Sequence, residues 1–459
     1  METVATRLGA WASGLTAAAI PAPVLDRAKS CIIDTVGVSL AGMVEPTARL
    51  VRAHVTGEYA SGPCTVLGAT ARFAATGAAL ANGTCAHVLD YDDTCYDGIV
   101  HASAVVWPAV LAAGEWAGAS GEDALVAFIA GCEIEYALGR ALQDVSYGKG
   151  WWNTTVLGAI GAASGAARVL GLGADRTTHA LAIATAQAGG MRSVLGTPTK
   201  PYLCGRAAQT GVAAALCARD GLLGPAAAVE HRYGLTSLVN EEAFAAEALD
   251  ALGHTYAVIE PGVAIKLFPV CSAAQAAMEA VLEIVNEHDL ADDDVEHVHC
   301  DVTPLVDLSL AYDRPRTPTE RQFSMQFAIG CILLFRDLRP EMLDGLPASD
   351  PRLYKALRKV SMTRSETLFA SGQDKRDFPE GASVTVTTRD GRRISRRKGA
   401  ATGMPTNPMS EQRLREKFHA CASWTLSSGD VQSLLGRLAV LDRHGSIRSL
   451  MNGSGGQAS

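Results

Sequence analysis

The stretch Val88–His101, VLDYDDTCYDGIVH, places Asp90, Asp92, Asp93 and Asp97 within eight positions and ends on a histidine. It stands in a chain of 459 residues of which only 19% are charged, and an apolar run, ASAVVWPAVLAAGEWAG, follows at once. Carboxylates beside an imidazole fix its tautomer, and a neutral imidazole is the best general base near neutral pH. The apolar run predicts a helix that begins just after His101. The N–H groups of such a helix end disfavour an imidazolium, whereas Asp90 or Asp93 favours one. These are the parts of a proton-transfer site. The competing account is that the aspartates cap helices in a loop and that His101 is a satisfied interior residue.

Two metal-binding readings of the same residues fit less well. Asp90-x-Asp92 matches two EF-hand ligand positions, but Cys95 stands where glycine is needed and His101 where the bidentate glutamate belongs. Asp92-Asp93-x-x-x-Asp97 resembles the aspartate-rich motif of class I terpene synthases, yet their second metal motif is missing and aromatics are only 6%. Other candidates are weaker. Cys95 and Cys271 lack a distinctive neighbouring base and read as packing residues. His297-x-His299 alternates on one strand face and, with no third ligand nearby, reads as an exposed pair. GLGAD lacks the context of a phosphate loop and reads as a helix end. The basic residues Arg392, Arg393, Arg396, Arg397 and Lys398 lie in TTRDGRRISRRKGA, a hairpin with an Asp-Gly turn, and read as a solvated strand edge.

The elements that must position these groups are mostly helical. Hydrophobic residues make up 48% of the chain and there are 45 glycines; mean hydropathy is +0.12. Small side chains let helices approach closely, so the composition predicts a dense helical core. VLDRAKSCIIDTVGVSLAG, EDALVAFIAGCEIEYALGRAL and TTVLGAIGAASGAARVLGL carry apolar residues at helical spacing, the last ending on a C-cap glycine. From about Lys266 the texture changes: EHVHCDV alternates as a strand, FSMQFAIGCILLF is helical, and ASVTVTTRDGRRISRR is an alternating hairpin. SEQRLREKFHACASW then returns to helix behind an N-cap serine. The expected fold is mainly α: a large all-helical domain (1–265 and 404–446) with an inserted smaller α+β domain (266–403) and a flexible tail (447–459). Net charge is −8, which argues against a nucleic-acid partner. The 11 cysteines never form C-x-x-C and are expected to be reduced. No apolar run reaches membrane-span length and no signal peptide is evident, so a cytoplasmic protein is expected.

HVLDYDDTCYDGIVHASAVVWPAVLAAGE resembles the signature of the MmgE/PrpD family. GWWNTTVLGAIGAASGAARVLGL, TPTKPYLCGRAAQTGVAAALCARDGLLGP, IKLFPVCSAAQAAMEA and PRTPTERQFSMQFAIGCILL resemble further family segments in the same order, covering most of the chain. The family includes 2-methylcitrate dehydratase, cis-aconitate decarboxylase and iminodisuccinate epimerase. The resemblance implies a helical domain interrupted by an α+β domain, an active site between them, and a homodimer. It implies Asp90, Thr94, His101, Lys200 and Lys266 as active-site residues, on a small di- or tricarboxylate substrate.

The implied chemistry is removal of a proton next to a carboxylate. Lys200 and Lys266 would neutralise substrate carboxylates, Thr94 would donate a hydrogen bond, and His101 would carry the proton, with no metal and no cofactor. Lys266 lies in the apolar run GVAIKLFPVC, where an unpaired lysine is unexpected; Lys200, in TPTKPY, is expected in a rigid loop. The remaining candidate substrate-binding residues are Asp93, Tyr147, Lys149, Trp152 and Cys271. Many relatives carry histidine where this chain has Trp152, and often at Cys271 or at Gln275. Dehydration benefits from a second acid, so these departures weaken a methylcitrate dehydratase reading, whereas epimerisation tolerates fewer groups. The expected order is a dehydratase, then an epimerase of an amino- or imino-dicarboxylate. A cis-aconitate-type decarboxylase is a variant of the first, and an inactive carboxylate-binding relative is the outsider.

Overall fold

The computed structural model describes residues 2–142, 145–241, 243–344 and 350–452. The chain is mainly α-helical. Its apolar residues form two large buried clusters. One runs from Ala5 to Val263 and resumes at Phe418–Met451; the other draws mainly on Ala264–Met404. The chain enters and leaves the second region side by side, since the Ile265 N–H donates to the Gly403 carbonyl over 2.9 Å. The helix Glu411–Ala422 then packs back on Ala22–Gly42, with Phe418 against Gly37. Ser410 caps the returning helix, its hydroxyl accepting from the Arg413 N–H at 3.2 Å.

Small residues set the spacing in the helical region. Ala75–His87 and Thr199–Arg219 pass each other in opposite senses, with Gly83 meeting Gly205. A Cβ on Gly205 would collide with the Leu80 carbonyl oxygen, and one on Gly83 would lie 2.9 Å from the Gly205 Cα. Contact this close needs glycine. It brings the last residue of one helix to the first turn of the other.

The smaller region is a sheet with strand order Val360–Arg364, Val295–Val302, Ala382–Thr388, Arg393–Lys398. The first pair is parallel and the others antiparallel. Val298, Cys300, Val302, Val384 and Val386 are buried together with residues of Ser272–Glu287 and Met325–Phe335. The Asp390-Gly391 turn forms, with Gly391 at φ +86°.

Three expectations are corrected. The basic edge strand is not simply solvated: Arg396 pairs with Glu283 at 3.1 Å and Glu287 at 2.5 Å, and Lys398 with Glu279 at 3.0 Å. His297 and His299 are half-buried, and both bond to the Ser361 hydroxyl, at 2.9 and 2.8 Å. The tail is not flexible from 447: Ile447, Leu450 and Met451 are buried against the helical core, because their apolar side chains outweigh the surrounding glycine and serine; residues 453–459 lie outside the described residues. Among the described residues, no single helix is long and apolar enough to cross a membrane; the one pair that qualifies together, Ala22–Gly42 with Pro46–Glu58, is bent by 88°.

Candidate active site

His87 closes the helix Ala75–His87, and His101 stands at the N-cap of Ala102–Ala117. Between them the chain is irregular. Asp90 at φ +48° and Ile99 at φ +55° occupy the left-handed region, which costs a side-chain-bearing residue about 1–3 kcal/mol. Contacts from remote elements hold this path. Thr94–Cys95 pairs antiparallel with Val263–Ala264, and the Tyr91 hydroxyl donates to the Leu267 carbonyl at 2.8 Å. Lys417, from the returning helix, donates to the Tyr91 carbonyl at 2.9 Å and pairs with Asp34 at 2.7 Å.

Asp90 sits between two ammonium groups. Its Oδ1 lies 2.5 Å from Lys266 Nζ and its Oδ2 3.2 Å from Lys200 Nζ, and Lys266 also donates to the Asp90 carbonyl at 2.8 Å. Burial opposes ionisation of Asp90, but the two lysines outweigh it and hold the carboxyl far below its ordinary range. Burial likewise opposes the Lys266 charge, and the Asp90 and Asp92 carboxylates overcome it, raising its proton affinity. The three groups form a charged cluster that bears net positive charge away from solvent.

The other end is an imidazole pair on one carboxylate. His87 Nδ1 lies 2.9 Å from Asp92, and His101 Nδ1 lies 3.1 Å from Asp92 Oδ2 and 2.9 Å from the Asp93 carbonyl. A carboxylate and a carbonyl only accept, so each Nδ1 carries a proton. The Nε2 of His87 then accepts from Lys200 Nζ at 2.6 Å. Burial pushes His87 down to about 4, with Lys200 adding to the effect and Asp92 opposing it, so this ring stays neutral. Burial works against the Asp92 charge, yet the adjoining His87 and His101 hold it well below the usual range. His101 is the least buried member, with 13% of its side chain exposed. Its Nε2 is left as the atom able to take a proton.

The fold thus gathers Asp90, Thr94, His101, Lys200, Lys266 and Trp152. Thr94 Oγ1 lies 3.3 Å from His101 Nδ1. The Trp152 ring lies 5.5 Å from that of His87 and 5.3 Å from Lys200 Nζ. Lys200 is not in a loop but in the first turn of Thr199–Arg219, where proline at the third helical position is tolerated. Cys271 caps Ser272–Glu287, and burial with nearby Asp90 and Glu380 pushes its thiol up to about 12, so it is no thiolate at neutral pH. Two expected residues turn away from the cluster, and a third lies at its edge. Only the backbone of Asp93 faces His101; its carboxylate accepts from Ser103 at 2.5 Å. Lys149 pairs with Glu241 at 2.8 Å, outside the cluster. Tyr147 is buried beneath the Arg192 guanidinium, 4.2 Å from the ring centre, and on the side of Cys271 and Glu380.

Reading the sequence missed His87 and the bridging role of Asp92. An imidazole among small buried residues, three positions before Asp90, was the available signal. Gln275 is structural: its Oε1 accepts from Leu267 and Phe268 N–H at 3.2 and 3.1 Å, and its Nε2 donates to the Phe268 carbonyl at 2.9 Å. It fixes the segment carrying Lys266. His87, Asp90, Asp92 and His101 present possible metal-ligand atoms within 4.8 Å of one another. The lysine ammonium groups already on Asp90 and His87 oppose a further cation there. The arrangement suits an anion beside a proton acceptor.

Comparison with known proteins agrees in extent. The family model for the MmgE/PrpD N-terminal domain matches residues 6–246, and that for the C-terminal domain matches 268–442. A cis-aconitate decarboxylase-like protein of Aspergillus oryzae is 25% identical, over 98% of this chain and 96% of its own length. The cis-aconitate decarboxylase of Homo sapiens is 27% identical, over 90% of this chain and 86% of its own. That of Aspergillus terreus is 25% identical, over 96% and 94%.

Proposed function

This chain belongs to the MmgE/PrpD family, and on that premise we propose that it is a lyase that builds negative charge on carbon next to a carboxylate of a small di- or tricarboxylate. The observation that carries the reading is Asp90 held between Lys200 and Lys266, at one end of a site whose other end presents the Nε2 of His101. In a dehydration, His101 takes the proton, the electron pair spreads towards the carboxylate, and hydroxide leaves from the neighbouring carbon. In a decarboxylation, carbon dioxide leaves and a proton returns. The lysine charges stabilise the anionic transition state in both cases. The relatives favour decarboxylation of a cis-aconitate-like substrate as the first reaction to assay, with dehydration of a 2-methylcitrate-like hydroxy acid next. A second reading, epimerisation of an amino- or imino-dicarboxylate, is favoured by Trp152, whose indole fills the wall beside His87 and Lys200 and leaves fewer acids around the substrate.

We also propose a cytoplasmic homodimer. Exposed Met191, Leu223, Tyr233 and Leu238 on the helical region are the kind of apolar surface that a second copy would cover.

The test is a panel of di- and tricarboxylates followed for loss of water, loss of carbon dioxide, and exchange of substrate hydrogen with deuterated solvent. The lyase reading expects one of the two losses. Exchange alone selects the epimerase, and binding without exchange or loss would overturn both. His101→Ala should lower turnover by about 10²–10⁴-fold with the fold intact by circular dichroism; unchanged turnover removes His101 from the chemistry.

A further inference from the structure

The groups described so far leave one chemical need unmet. His87 is locked between Asp92 and Lys200, both lysines are paired with Asp90, and His101 is the acceptor, so the set holds no acid separate from the base and the ion pairs. Near Lys266 and Asp90, whose charges act on it, stands Glu380, 4% exposed, which the mechanism has not used. Its Oε2 accepts from the Tyr96 hydroxyl at 2.6 Å and its Oε1 from the Ser272 hydroxyl at 2.9 Å, and neither bond comes from a cation. Tyr96 comes from the acidic segment, and Ser272 follows Cys271 and the Lys266 loop. Glu380 therefore sits where the two catalytic segments converge.

It is also reachable. Tyr96 and Glu380 line a cavity of about 800 Å³ whose wall also carries Arg140, Lys375 and Arg376 together with Asp97, Glu260 and Asp377. We propose that Glu380 is a second proton-transfer group of this site, acting as the acid opposite His101. The inference rests on the lyase reading. Burial raises the Glu380 carboxyl to about 7, although the bonds from Tyr96 and Ser272 and the nearby Lys266 charge oppose it. The titratable groups facing it are Tyr96, Tyr147, Cys271, Lys266 and Asp90.

The balance is simple. In a decarboxylation the C–C bond to the departing carboxylate breaks, carbon dioxide leaves, and the electron pair remains on the substrate skeleton. The Glu380 O–H proton then forms the new C–H bond, and water in the cavity restores the acid. In a dehydration the same proton goes to the departing hydroxyl, which leaves as water, while His101 keeps the proton taken from carbon and releases it to solvent.

The experiment compares Glu380→Gln with the wild type on the substrate that the panel identifies. Product formation is expected to fall by about 10²-fold or more, with KM changed less than about threefold. Where the reaction is a dehydration, exchange of substrate hydrogen with deuterated solvent, which needs only His101, is expected to persist. Wild-type activity should decline as pH rises through about 7, where Glu380 loses its proton, and the Gln variant should lack that limb. Glu380→Asp, which keeps an acid on a shorter arm, should retain the limb at a reduced rate, and it serves if the Gln variant does not fold. Equal loss of exchange and product in a dehydration, or a pH limb that persists in the Gln variant in either reaction, would mark Glu380 as structural and overturn the proposal. An active wild type with an unchanged Gln variant would overturn it alone, whereas a wild type with neither exchange nor product would overturn the lyase reading and this role together.

Discussion

The two ends of the site are assembled in opposite ways. The imidazole end comes from a single run: His87 reaches Asp92 across five positions, and His101 reaches the Asp93 carbonyl across eight. The ammonium end is assembled from far away, with Lys200 and Lys266 meeting Asp90 across 110 and 176 positions. Local backbone shape, including the left-handed Asp90 and Ile99, sets the first. Packing of the whole molecule sets the second: the Gly83–Gly205 crossing delivers Lys200, and the Gln275 clamp delivers Lys266. The base should therefore survive loosening of the fold better than the anion-binding charges do.

The most severe break is Lys266→Met. It leaves the Asp90 carboxylate, 1% exposed, with one ammonium at 3.2 Å in place of two, and removing one partner of a buried ion pair costs about 3–5 kcal/mol. Urea denaturation should show that loss, together with loss of turnover. Asp90→Asn added to Lys266→Met should recover much of the stability and none of the activity. His101→Ala, at the partly exposed edge, should cost far less stability for a comparable loss of turnover. If the two single variants were equally destabilised, the contrast between the ends would be wrong.

The same contrast explains what could be read from the sequence. Asp90 and His101 stand within one short run, so their types and spacing announced a site directly. Lys266 announced itself because a lysine in GVAIKLFPVC has to find a partner, but that partner was 176 positions away. Lys200 was placed in a loop because prolines flank it, whereas proline near a helix start is compatible with helix. Asp93 counted as one more acid in a cluster; strict local geometry turns its carboxylate to Ser103 instead. The helical texture, the alternating strands and the Asp-Gly hairpin depend on local periodicity and were legible. Which helix faces meet depends on glycines whose partners lie far along the chain.

Gln275→Leu sharpens the comparison at smaller scale. The substitution keeps the volume and removes the acceptor for the Leu267 and Phe268 N–H groups. Leaving buried donors unpaired costs about 1–3 kcal/mol, measurable as a shift in the urea midpoint. KM should rise, because the Lys266 segment loses its clamp, while the pH dependence of turnover stays as in the wild type. A variant with normal KM and normal stability would show that packing alone positions Lys266.

The smallest effect concerns Asp93, on the side of the imidazole segment turned away from the site. Burial raises its carboxyl to about 7; Asp34 and Asp92 add to this, and the Ser103 hydrogen bond opposes it. The folded chain thus keeps a proton that the unfolded chain releases near pH 4. Stability from this group is full below about pH 4 and is lost as pH rises towards 7, by at most about 1.4 kcal/mol per pH unit. Glu133 and Glu380 are also raised to about 7, mainly by burial, and share the same sign. Asp90 and Asp92, held below the ordinary range, have the opposite sign and act only at more acidic pH. Asp93→Asn should therefore flatten the fall in stability between pH 5 and pH 7 without abolishing it. Turnover should be untouched if only the Asp93 backbone serves His101, and a Asn variant with impaired turnover would mean that the carboxylate, too, belongs to the imidazole end.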